Sequence, residues 1–253
     1  MTEQQPVLRG AEEQVQDHLA VHGRRDLASG YGPVQHDPML TAQRFEHAIP
    51  PGRAQLLVVV DRSPKVQELR IALARPEANW ESLGGARVST GQTGRYDYFV
   101  TPTGVFLHTD AILDWRAEGT YNAQHIRGLG VKGMRVWDFG WQPATKGWGT
   151  GETGEIRLLL HATDPDYLER RLGRPASKGC VRIPDAMNRF LDRHGVLDAD
   201  YDRVAKDDPR FAALLLPDRT PTPLAGDALV IIDSSEPWPP PSNRFGIHPP
   251  SSH

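Results

Sequence analysis

The sequence predicts a mainly β fold, a sandwich or a barrel. Three features predict it: short apolar runs of strand length, Gly- and Pro-rich turns between them, and few stretches with helical periodicity. In chain order, Val15, His18, Leu19 and His22 fall at helical spacing, and Gly23 stands where that helix would end. Residues 23–52 are polar and rich in Gly and Pro, and read as a linker, so residues 1–52 form a partly helical N-terminal extension. Leu56 to Val60 is a β-branched run. A Ser63-Pro64 turn and a second run, Val66 to Leu73, complete a hairpin. A turn region follows from Pro76 to Gly85 and contains Trp80. Short strand-like pieces come next, at 86–89, 96–100 and 104–108.

Residues 114–154 show no long periodic element, and the expectation is a long loop, either a lid or binding wall or else a disordered segment. Ile156 to Leu160 returns to strand texture. Pro184 then opens a helix with Met187, Phe190, Leu191 and His194 on one face, closed by Gly195. Phe211 to Leu216 is a short apolar segment compatible with helix, and Leu229 to Ile232 reads as a last buried strand. Six prolines from Pro237 onward mark residues 235–253 as an extended tail.

Composition narrows the function classes. A formal net charge of −3 with 24% charged residues creates no strong field, so neither nucleic acid nor an anionic membrane surface is an expected partner. The single cysteine excludes an intramolecular disulfide framework, and without a CxxC pair no structural zinc site is expected. No cofactor is implied. The stretch from Met1 to Gly30 is polar and acidic, and the chain has no 18-residue apolar run, so neither a secretory signal nor a membrane span is expected.

The lone thiol is the most informative residue. Cys180 lies in Ser177-Lys178-Gly179-Cys180-Val181-Arg182, and His161 ends the apolar strand nineteen residues upstream. A thiol attacks a carbonyl only as thiolate, so flanking cations and a placeable imidazole suit a nucleophile. The same residues also fit a buried, inert cysteine, and from this segment alone both readings stand. The remaining histidines read mainly as structural. His18 and His22 have a metal-compatible spacing but no third ligand. His194 sits at a helix end. His108 either packs at a strand end or lines a cleft. Trp137, Trp141 and Trp148 either wall a substrate or anchor their Gly-rich loops.

Four segments occur in order: Ser89-Thr90-Gly91, Thr101-Pro102-Thr103-Gly104-Val105-Phe106, His161, and Ser177 to Arg182. This ordered set resembles the catalytic domain of the bacterial L,D-transpeptidases over roughly residues 53–234. The resemblance implies an L,D-transpeptidase-like β-sandwich with a helix after the catalytic cysteine. It implies that Cys180 attacks the peptide carbonyl of a peptidoglycan tetrapeptide stem at its third residue, expelling D-alanine, with His161 as general base. An amine from a neighbouring stem would then resolve the thioester into a 3–3 cross-link. Water in place of the amine would make a hydrolase, and loss of turnover would leave a cell-wall-binding module.

By the same resemblance, Gly179 and Cys180 supply backbone N–H groups to the oxyanion. Arg182 orients the loop or meets a substrate carboxylate, and Ser177 holds the loop. A carbapenem is the implied covalent inhibitor, and the periplasm or cell envelope the implied location. The chain departs from the family pattern twice. Lys178 stands where histidine is common, and its charge is expected to lower the thiol pKa; Ala162 follows His161 where glycine is common.

Overall fold

The computed structural model describes residues 52–76 and 80–236, with the backbone of 247–248. The expected N-terminal helix, His18, His22 and most of the Pro-rich tail lie outside the described residues. The fold is mainly β, built from two mixed sheets. The larger contains β1 (Gln55–Asp61), β2 (Glu68–Ala74), β3 (Glu81–Arg87), β4 (Gly104–Leu107), β9 (Ala228–Ile232) and β10 (Ile247–His248), in the order β10-β4-β9-β1-β2-β3. The smaller orders β5 (Trp115–Arg116), β6 (Arg135–Thr145), β7 (Thr153–Ala162) and β8 (Val181–Ile183) side by side. Three short helices, α1 (Asp185–His194), α2 (Ala199–Val204) and α3 (Pro209–Leu214), follow β8.

The texture of each strand follows from what covers it. β1 and β9 pair in parallel at the centre of the larger sheet and are buried on both faces, so their sequences are unbroken apolar runs. Leu56, Val58, Val60, Leu229 and Ile231 face one core. Trp137, Phe139, Leu158, Leu160, Val181 and Ile183 of the smaller sheet enter that same core, and Met187, Phe190 and Leu191 of α1 close it. The opposite faces, Leu57, Val59, Val230 and Ile232, form a second cluster with Trp80. β1 and β2 form the expected antiparallel hairpin, in register from Gln55 opposite Ala74 to Asp61 opposite Glu68. Helix α1 ends at Gly195, whose left-handed φ of 56° terminates the helix without steric cost.

Three expectations change. The stretch 114–154 is no long loop: it contains β5, the eleven-residue β6 and the start of β7. Its strand character was hidden because the first half of β6, from Arg135 to Gly140, is buried on both faces, charged Arg135 and Asp138 included, and a bulge between Asp138 and Trp141 breaks the alternation. The turn region 76–85 gives way to β3 from Glu81. The piece at 96–100 makes only an isolated bridge, from Phe99 to Lys146.

Parallel strands need a crossover rather than a tight turn. β7 and β8 pair in parallel, and residues 163–180 form their connection, including a single 3-10 turn at Glu169–Arg171. That connection carries the thiol back to the edge of the smaller sheet.

Candidate active site

The register of β7 and β8 places the candidate residues. Leu160 lies opposite Val181, and His161 opposite Arg182. Because Leu158, Leu160, Val181 and Ile183 all point into the core, strand alternation turns His161 and Arg182 to the other face of the sheet. Cys180 immediately precedes β8 and belongs to the same face. Its Sγ donates to the Arg157 carbonyl at 3.8 Å, and its thiol also meets the backbone of Leu159. Cys180 and His161 therefore lie on one face of adjacent parallel strands, two register positions apart.

The loop that presents the thiol is clamped by hydroxyls. Ser177 Oγ donates to the Cys180 carbonyl at 2.6 Å and accepts from the Gly179 N–H at 3.0 Å. Thr101 Oγ1, buried, donates to the Gly179 carbonyl at 2.7 Å and accepts from the Gly91 N–H at 2.8 Å. Backbone bridges join Ser89 to Arg182 and Gly91 to Ser177. The segments that stood apart in sequence thus meet around one loop. Gly179 itself has φ of +133°, a conformation that L side chains rarely adopt, and a Cβ there would lie 2.8 Å from Ile156 Cδ1. Only glycine fits.

His161 is buried, with 3% of its surface exposed. Its Nδ1 lies 2.7 Å from the Ala162 carbonyl, and a carbonyl only accepts, so Nδ1 carries the proton. In the neutral ring Nε2 is then the basic nitrogen. Burial, and secondarily the Arg182 guanidinium, push the His161 pKa down to about 4. Burial raises the Cys180 pKa. The Leu159 backbone and Arg182 oppose this, but the net shift remains upward. At neutral pH the pair rests as thiol and neutral imidazole, not as an ion pair.

Two expected roles are revised by these contacts. Arg182, rather than Lys178, is the cation that opposes the upward shift of the thiol. Lys178 Nζ pairs with Asp97 at 2.6 Å and lies over the Tyr98 ring, so its charge is neutralised at the surface. The Gly179 N–H, expected to face the oxyanion, is committed to Ser177 Oγ. The tryptophans separate as well. Trp137 is fully buried in the core and walls no substrate. Trp141 stands opposite Arg157 on the face of the candidate site, 40% exposed. Trp148 packs edge-on to Phe99 at 4.9 Å, and Phe99 in turn borders Gly179.

Sequence reasoning did not assign roles to Thr101, Arg157 or Asp138. Thr101 belongs to one of the four ordered segments, but its clamp on the Gly179 carbonyl forms only when those segments meet in space. Arg157 bonds Asp138 at 2.7 Å beside the thiol, a pairing formed only when β6 meets β7. Among the described residues no cluster of three or more His, Cys, Asp or Glu could hold a metal ion. No protein-family model matches this chain, and no curated protein matches its sequence.

Proposed function

We propose that this chain is a cysteine acyl-transferase acting on peptidoglycan stem peptides, with its two sheets arranged as an L,D-transpeptidase-like sandwich. The observation that carries the reading is the shared face of Cys180, His161 and Arg182 across the β7–β8 register, with His161 Nδ1 tied so that Nε2 is free to accept.

The chemistry follows from the neutral resting pair. Cys180 Sγ attacks the scissile carbonyl as its proton passes to His161 Nε2, so deprotonation accompanies attack. Arg182 favours the developing thiolate and opposes the developing imidazolium, which keeps the proton available for return. With the Gly179 N–H engaged, the Cys180 N–H is the loop donor for the oxyanion. The C–N bond breaks, the imidazolium protonates the departing D-alanine amine, and a thioester remains on Sγ. An acceptor amine then attacks the thioester, gives its proton to Nε2, and restores the thiol. The peptidoglycan substrate implies the periplasm or cell envelope as the site of action. No helix among the described residues is long and apolar enough to cross a membrane.

The raised thiol pKa and the depressed imidazole also favour a second reading, a wall-binding module that does not turn over. Intact mass after incubation with a carbapenem separates them. The acyl-transferase gains one carbapenem mass, lost in Cys180→Ala; an unmodified wild-type chain rejects the assignment. Products from a tetrapeptide muropeptide then distinguish transfer, which gives a dimer, from hydrolysis, which gives a shortened monomer.

A further inference from the structure

The crossover between β7 and β8 helps to line an open cavity of about 310 Å³, whose wall includes Arg182, two residues after the candidate thiol. Its wall contains Arg95, Arg171, Arg174 and Arg182, and no Asp or Glu lines it. Two buried polar atoms of lining residues lack a hydrogen-bond partner: Arg182 Nε and Thr163 Oγ1, with Thr163 fully buried. A fold rarely leaves buried polar atoms unpaired, because each then forgoes the hydrogen bonds water would give it. Such a cost persists where a ligand supplies the missing partner.

We propose that this cavity is a carboxylate subsite that receives an acidic group of the organic ligand whose carbonyl reaches Cys180. The guanidinium forks match a carboxylate geometrically, and the Thr163 hydroxyl can donate a further bond. The volume lies at the small end of ligand pockets, enough for a short acidic residue but not for a large ligand. Leu172 gives the cavity an apolar side, which suits a carbon acid better than an inorganic anion. Arg182 connects the two places: it lines the cavity, and its charge acts on both Cys180 and His161. An anion held there would offset that charge, so occupancy of the subsite would make His161 a stronger base. The link to chemistry at Cys180 rests on the acyl-transfer reading, whereas occupancy of the cavity does not.

The test is calorimetric titration of the full-length Cys180→Ala chain with glutarate, inorganic phosphate and the neutral glutaramide. Saturable glutarate binding is expected, with phosphate weaker and glutaramide silent. Arg171→Gln combined with Arg174→Gln should weaken glutarate at least tenfold. Both arginines are exposed, so the thermal midpoint should hold. Thr163→Val should also weaken binding. Absence of saturable glutarate binding overturns the proposal, as does equal affinity in the double variant, equal binding of glutaramide, or tighter binding of phosphate. Carbapenem acylation of the wild type separates the two readings. Acylation without glutarate binding removes the subsite alone, and glutarate binding without acylation removes the acyl-transfer reading alone.

Discussion

Two histidines in this molecule sit among charged groups, and they are built in opposite ways. His108 is fully buried, with Nδ1 bonded to the Leu197 carbonyl at 2.7 Å and Nε2 to Asp114 at 2.9 Å. Asp114 also bonds Arg135 at 2.8 Å, and Arg135 pairs with Asp198 at 3.3 Å. Both ring nitrogens are used, the carboxylates beside the ring are shared with Arg135, and Tyr201 stacks over the ring at 4.2 Å. His161 has one ring nitrogen bonded, a guanidinium as its charged neighbour, and a thiol on the same face. Both imidazoles are perturbed, but only the second leaves a ring nitrogen without a partner on the face that carries the thiol and Arg182, and Arg182 in turn lines a cavity. Perturbation alone therefore does not mark a site; incomplete pairing next to open space does.

The largest expected effect tests whether the closed network is structural. Arg135→Met removes the cation that Asp114 and Asp198 share, leaving them to His108 and Arg219 alone, and should cost about 3 kcal/mol in urea denaturation. Arg182→Met, which strands no carboxylate among the described residues, should cost less than about 1 kcal/mol in the same measurement. Equal losses would erase the contrast.

The next test uses pH, because the two histidines tilt stability in opposite directions. Burial depresses the His108 imidazolium, but Asp114 and Asp198 outweigh it and raise the pKa overall. The folded state then binds this proton more tightly than the unfolded chain. Its contribution is fully present below about pH 6.5 and is lost as pH rises through the folded value. His161, held near 4, does the reverse: its contribution is complete above about pH 6.5 and disappears as pH falls toward 4, a change on the order of 3 kcal/mol. Urea midpoints from pH 4 to 9 should therefore flatten on the alkaline side in His108→Gln and on the acid side in His161→Gln. Parallel profiles for the two variants would show that the histidines do not differ in this way.

The smallest effect concerns Lys178. With its ammonium paired to Asp97, Lys178→Ala should leave the pH profile of Cys180 alkylation unshifted, within about 0.2 units. A clear upward shift would mean that Lys178 acts on the thiol after all.

The sequence carried the strands that are uniform in texture. Leu56 to Val60 and Leu229 to Ile232 are continuous apolar runs because the sheet buries both faces, and the α1 face Met187, Phe190, Leu191 and His194 is spaced for a helix. It did not carry β6. Buried charges there mimic a surface pattern until Asp114, just before β5, and Arg157 of β7 arrive to neutralise them. Nor could the sequence show that Asp97 would meet Lys178, eighty-one residues away.

What the chain alone determined was its candidate chemistry and its strand texture: one thiol, one histidine at a strand end, and a glycine where the backbone must turn left-handed. These depend on residue type and local sterics. Tertiary structure decided which groups act on that thiol. The parallel register of β7 and β8 set Arg182 beside His161, and the crossover opened the cavity, because charge and burial act through space between residues that sequence order keeps apart.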